Sequence, residues 1–201
     1  GFSKLSQYGY KGTLYPIIDR LSQPGFMSLA QIKLLRDLHG WEIGTHSVTT
    51  ASHKSVTSIS PSELEAELLA LRTWQDSQGI QSDSYAYPVG NYSGEAIAII
   101  QKYFSSARSN YAQMTTPDTN QPHRLGALVL GKATNGTLAR AKTKIDFVAA
   151  QGAWLPLIIH DLVVSGGTAN DWTIADFNEL VDYIASKGMN VATVGEVIYS
   201  Q

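Results

Sequence analysis

Short apolar runs alternate with longer amphipathic stretches along nearly the whole chain, and this alternation constrains the fold most. It is the pattern of βα units, in which each buried strand is followed by a helix that covers it. Lys11–Ile18 reads as the first strand. Leu29, Ile32, Leu35 and Leu38 recur at helical spacing and stop at Gly40, so a helix is expected there, with a short strand over Trp41–Thr45. In Ser60-Pro61-Ser62-Glu63 the serine can cap, the proline fits the first helical position, and the glutamate can reach back to the cap. Leu64, Leu68 and Leu71 supply that helix's buried stripe, and Gly79 ends it. Tyr85–Val89, Leu125–Leu130, Trp154–His160 and Val191–Val194 read as further strands. Ser93–Tyr103, Thr137–Ala150 and Thr173–Lys187 read as further helices. Met114–Arg124 has no periodicity and reads as a long loop. No repeat or linker interrupts the series, so residues 1–201 read as a single α/β domain, barrel-like in organisation.

Composition narrows the function classes. Hydrophobic residues make up 43% and charged residues 16%, which is a folding composition rather than a disordered one. A formal net charge of -2 without a Lys/Arg block gives no footprint for nucleic acid or an anionic membrane. No apolar run is long enough to span a bilayer, and Gly1–Gln7 is not a signal peptide. The absence of cysteine excludes disulfides, a thiolate nucleophile and cysteine-bound zinc. A surface rich in Ser, Thr, Asn and Gln suits a secreted or envelope-associated, bacterial protein acting on polar polymers.

Of five histidines, His46 and His160 fall where an apolar strand ends, and strand C-termini carry the reactive groups of parallel α/β folds. Gly40–His53 (GWEIGTHSVTTASH) holds two imidazoles near one turn. Two imidazoles plus a carboxylate on zinc leave an open position for water, whose pKa the metal lowers while it polarises a carbonyl, as amide or ester hydrolysis requires. The same residues also read as a capped turn with two exposed histidines, and spacing alone leaves both readings open.

Four segments in order carry a family resemblance. EIGTHS at Glu42–Ser47, with TSISPSELEAEL at Thr57–Leu68 after it, resembles the second motif of the polysaccharide deacetylase (NodB-homology) family, carbohydrate esterase family four. AYPVGNYSG at Ala86–Gly94 resembles its third motif, LPLIIHDL at Leu155–Leu162 its fifth, and VATVGEVI at Val191–Ile198 the usual domain end. The resemblance spans about Tyr8 to Ile198. It implies a distorted (β/α) barrel, here incomplete for want of the first strand. It further implies metal-dependent removal of acetyl groups from an N-acetylated or O-acetylated polysaccharide, with metal-bound water as nucleophile.

Carried over position by position, the resemblance makes His46 a ligand of a divalent metal, zinc foremost. His160 becomes the general acid for the leaving amine, and the Tyr87 backbone N–H a holder of the carbonyl oxygen. Tyr87 and Pro88 line the substrate groove, and Leu157 the pocket for the acetyl methyl. Trp172, in the polar stretch SGGTANDW, is the candidate for stacking on a sugar.

Two departures stand out. The residue four after His46 is Thr50, not histidine; the expected second ligand is His53, the alternative being a remodelled loop with His53 in solvent. The family's Asp-Asp motif, source of the catalytic base and a third ligand, is absent, and YGYKGTLYPIID (Tyr8–Asp19) resembles the family's segment just downstream of that motif. Either an upstream piece completes the domain or the base is lost, in which case a catalytically impaired carbohydrate-binding relative results. Asp19 is a replacement carboxylate or a loop-capping residue, and Arg108 replaces the arginine missing from AYPVG or lies at the surface. A glycosidase would need two opposed carboxylates, where these strand ends offer histidines.

Overall fold

The computed structural model describes residues 1–111 and 121–199, so the expected loop at Met114–Arg124 lies outside the described residues up to position 120. The described residues group into two compact units, one of 12–109, 121–125 and 193–199, the other of 1–11, 110–111 and 126–192.

In the first unit, five passes of chain run parallel in sequence order. Thr13–Leu14 pairs with Glu42–Ile43 in the register Thr13↔Glu42, and Ser84–Ala86 pairs with Ser106–Arg108 in the register Ala86↔Arg108. Isolated parallel bridges Ile17↔Ser47, Thr45↔Tyr85 and Arg108↔Leu125 extend the series. The connecting helices are those the sequence signals predict. Leu29–His39 has a Ser28–Gln31 capping box and a left-handed Gly40 at its end, and Pro61–Gln78 has a Ser60–Glu63 capping box and a left-handed Gly79. Gly94–Ile100 is shorter than expected.

Side chains alternate across these strands. Ile43 clusters with Ile32 and Ile80, and Tyr85 with Leu64, Leu68, Leu71, Ile100 and Phe104, so one face of each strand is covered by helices. The opposite parity carries polar groups. Glu42 accepts from the Thr13 hydroxyl (2.8 Å), the Ser82 hydroxyl (2.7 Å) and the Gly195 N–H (2.9 Å). One step on, Gly44 leaves room for the Tyr15 ring, whose hydroxyl lies 2.5 Å from the Ser84 hydroxyl.

The expected final strand at Val191–Val194 does not form: 191–193 lie outside any helix or strand, and Val194 begins a helix, Val194–Tyr199. Thr193 and Glu196 form a reciprocal cap: the Thr193 N–H donates to Glu196 Oε2 (2.9 Å) and the Glu196 N–H to Thr193 Oγ1 (3.2 Å). That Thr-x-x-Glu start signal overrides the apolar run.

The second unit pairs Leu128–Val129 with Leu157–Ile158, and Asp161–Val163 with Asp171–Thr173, both parallel. The helices Leu138–Gln151 (capped by Thr137) and Ile174–Ser186 (capped by Thr173) bury Ile145, Phe177, Leu180 and Val181 against Leu128, Leu130 and Trp172. A short helix at Phe2–Ser6, unforeseen in the sequence, also belongs here. Among the described residues the strands form four two-stranded pairs and no closed sheet, so the α/β class holds and a barrel is not seen.

A methyl group at Gly44 would sit 2.6 Å from Tyr15 Cε1 and 2.8 Å from the Ser84 carbonyl oxygen, closer than van der Waals contact allows. Gly44→Ala is expected to cost about 1–3 kcal/mol of unfolding free energy, read from urea denaturation, as overpacking of a filled site does.

Candidate metal centre

The expected ligands His46 and His53 come together. Their Nε2 atoms are 2.9 Å apart, with ring centroids at 4.7 Å and planes at 64°. His46 extends from the parallel series just past Thr45, and its Nδ1–H donates to the Ala86 carbonyl on the adjacent pass at 2.7 Å. That bond fixes the tautomer with the lone pair on Nε2, aimed at His53. A backbone carbonyl behind a ligating imidazole is the usual means of orienting it.

The seven-residue separation is spanned by a loop with its own braces. Ile18 and Asp19 donate their N–H groups to the Ser47 and Val48 carbonyls, both at 3.0 Å. Asp19 accepts from the Thr50 N–H (2.8 Å) and the Thr50 hydroxyl (3.1 Å), and Arg20 Nε donates to that same hydroxyl (2.7 Å). Glu67, on the helix Pro61–Gln78, accepts from the Val48 N–H (2.6 Å) and the Ser52 hydroxyl (2.8 Å). Thr49 and Ser52 bond reciprocally between the two braces. Asp19 therefore acts as the loop-capping residue of the two readings open from sequence.

The pair fits a metal ion. Zinc–imidazole bonds of about 2.0–2.1 Å at angles between 90° and tetrahedral put two ligating nitrogens roughly 2.9–3.4 Å apart, and the observed separation lies at the short end of that range. Among the described residues no group of three His, Cys, Asp or Glu converges on one point.

The other expected site residues differ in how well their positions suit the expected roles. Tyr87 is buried, its N–H donates to the Arg108 carbonyl (3.0 Å) and its hydroxyl to the His123 carbonyl (2.8 Å). With that N–H engaged in the parallel ladder, the expected oxyanion role has no free donor at this residue. Tyr87 instead stacks on Tyr92 (5.2 Å, 29°) and meets Tyr85 edge-on. Pro88 is buried, and Val89 after it is exposed at φ 64°, a left-handed conformation that is strained for a β-branched residue. In the second unit, His160 is exposed at a bend separated by one residue from Leu157–Ile158, the strand being shorter than the expected Trp154–His160. Leu157 packs against that unit's core. Trp172 is 4% exposed within the same core, so its indole is held by apolar neighbours rather than displayed for stacking; part of it lines a hollow with Gly136, Thr137, Gly166 and Asp176. Sequence reasoning missed the Ala86 carbonyl and Glu67. The carbonyl has no sequence signal, and the Glu67 brace depends on a loop whose path the sequence does not show.

No protein-family profile matches the chain, and no curated protein is similar to it in sequence. Solved structures do match. A Streptococcus pyogenes deacetylase determined with acetate is 20% identical, with 61% of this chain and 54% of that one covered and a TM-score of 0.54. A family 4 carbohydrate esterase from Streptomyces lividans, also with acetate, is 15% identical, at 94% and 82% coverage and TM-score 0.58. A family 4 acetyl xylan esterase from Clostridium thermocellum, determined with a cobalt ion, is 17% identical, at 99% and 82% coverage and TM-score 0.56. Three of the matched chains are much longer, and this chain spans 35%, 54% and 41% of them. At such identities the likeness is one of fold, and the resemblance read in four short motifs extends to the three-dimensional arrangement.

Burial holds the His53 imidazole below its ordinary pKa. Between that lowered value and about 6.5 the unfolded chain binds a proton that the folded chain does not, so this contribution to stability is present above about pH 6.5 and is lost as the pH falls. Urea midpoints measured at about pH 7.5 and about pH 5.5 are expected to drop for the wild-type chain and to drop less for His53→Gln.

Proposed function

We propose that this chain, which has the polysaccharide deacetylase fold, removes acetyl groups from an acetylated polysaccharide, using a divalent metal held by His46 and His53. The observation that carries this reading is the convergence of the two imidazoles at 2.9 Å, with His46 fixed from behind by the Ala86 carbonyl. A bound divalent metal supplies Lewis acidity, polarising an acetyl carbonyl and acidifying water.

The chain's own residues do the rest. His46 presents an unprotonated Nε2 because its proton is held on Nδ1. His53 must keep its proton on Nδ1 to present a second lone pair, and its burial disfavours the doubly protonated form that could not bind metal. The Asp19 and Glu67 braces hold His53 at the end of a loop that would otherwise sample many conformations. His160, exposed at a strand end of the second unit, is assigned the proton that the departing amine requires. Zinc is the proposed metal, an N-acetylated sugar polymer the proposed substrate, and the bacterial cell exterior the proposed location. Among the described residues no helix is long and apolar enough to cross a membrane.

The base is the open part of this reaction: among the described residues Asp19 and Glu67 are both bonded to the loop. This favours keeping the second reading, a carbohydrate-binding relative impaired in catalysis.

Acetate release from chitooligosaccharides, with and without added zinc, discriminates the two. The deacetylase reading predicts zinc-dependent release that EDTA abolishes and that falls at least about 100-fold in His46→Ala, the scale expected when a catalytic metal loses a ligand. Oligosaccharide binding without acetate release under any metal would establish the binding relative instead.

A further inference from the structure

Arg108 lies directly opposite Ala86 in the parallel register, so it is paired with the residue whose carbonyl anchors His46. Its guanidinium carbon is 4.7 Å from the centroid of the Tyr15 ring. That ring is itself fixed, seated over Gly44 and bonded to the Ser84 hydroxyl. One face of the cation is thus covered by a phenol, an arrangement that favours a desolvated guanidinium.

The other arginines for which polar contacts are seen are differently used. Arg72 pairs with Asp83, Arg36 with Asp37, Arg20 with the Thr50 hydroxyl and Arg140 with the Thr134 carbonyl. Among the described residues no carboxylate pairs with Arg108, and no oxygen acceptor takes up its guanidinium N–H groups. The polar-face carboxylate of these strands, Glu42, is already shared by Thr13, Ser82 and Gly195. Desolvation lowers the pKa of Arg108, and the Tyr15 ring offsets only part of that. A partly buried, uncompensated cation beside a candidate active centre is costly unless it has a counter-ion to receive.

We propose that Arg108, backed by Tyr15, is a seat for a small monocarboxylate next to the backbone that anchors His46. The planar fork of a guanidinium matches a carboxylate through two parallel N–H···O bonds, and among the described residues the donors of Arg108 have no oxygen acceptor. One positive charge balances one carboxylate. The reaction proposed above releases acetate, a monocarboxylate of this size, so the seat would hold the product acid once it leaves the metal. Only that assignment of acetate as the natural occupant rests on the deacetylase reading.

The test is made on the whole chain after EDTA treatment, so that metal at the histidine pair takes no part. Acetate is titrated against chloride at constant ionic strength, with acetamide as its neutral isostere. Binding is read by calorimetry and by the Arg108 Nε–H resonance. The expected result is a saturable shift of that resonance with acetate and none with acetamide. Arg108→Gln should weaken acetate binding at least about tenfold, as loss of a charge-assisted bidentate pair does. Absence of an acetate-dependent shift, an equal response to acetamide, or unchanged affinity in Arg108→Gln would each overturn the proposal. Should Arg108→Gln fail to fold, the wild-type resonance decides alone. Failure here with zinc still bound by the histidines would remove the seat and leave the deacetylase reading intact; acetate binding here without zinc binding would do the reverse.

Discussion

The hydrogen bond from His46 Nδ1–H to the Ala86 carbonyl is the contact on which the candidate centre depends. It couples the tautomer of one imidazole to the register of two neighbouring passes of parallel chain. Remove it and Nε2 is no longer obliged to be the unprotonated nitrogen. The contact exists because Thr45 bridges Tyr85, which brings His46 and Ala86 level, and because Gly44 lets the Tyr15 ring close in beneath. Packing at Gly44 and chemistry at His46 are therefore adjacent consequences of one short strand.

The same strand divides its duties by parity. Ile43 faces helices and is part of the apolar core, whereas Glu42, Gly44 and His46 share the other face. Along that face the polar groups run from the structural Glu42 to the candidate histidine pair. Glu42 ties Thr13, Ser82 and the start of the last helix together, Tyr15 and Arg108 stack in the middle, and the histidine pair lies furthest along. Strand C-termini are where α/β folds keep their chemistry, which makes the histidine pair the candidate centre of this series.

Much of this was legible in the sequence where the signal is local. The Ser60 capping box, the apolar spacing from Leu29 and the left-handed glycines at Gly40 and Gly79 bound two helices within a residue or so of expectation. The Thr193–Glu196 cap shows the cost of overlooking one such signal, since an apolar run read as a strand is a helix start. Non-local features were not legible. The arrival of His53 at His46 depends on carboxylates at positions 19 and 67, neither adjacent in sequence to the histidines. The burial of Trp172 arises from its strand facing Phe177 and Leu180, although a polar sequence precedes it. The engaged N–H of Tyr87 results from a strand pairing with Arg108 that no motif encodes.

The most direct test of the account is the state of the four nitrogens of His46 and His53, read by long-range proton–nitrogen NMR before and after one equivalent of zinc. His46 is expected to carry its proton on Nδ1 throughout, and zinc to move both Nε2 resonances together while leaving that Nδ1 protonated. A His46 protonated on Nε2 in the metal-free chain, or zinc that moves only one imidazole or neither, would contradict it.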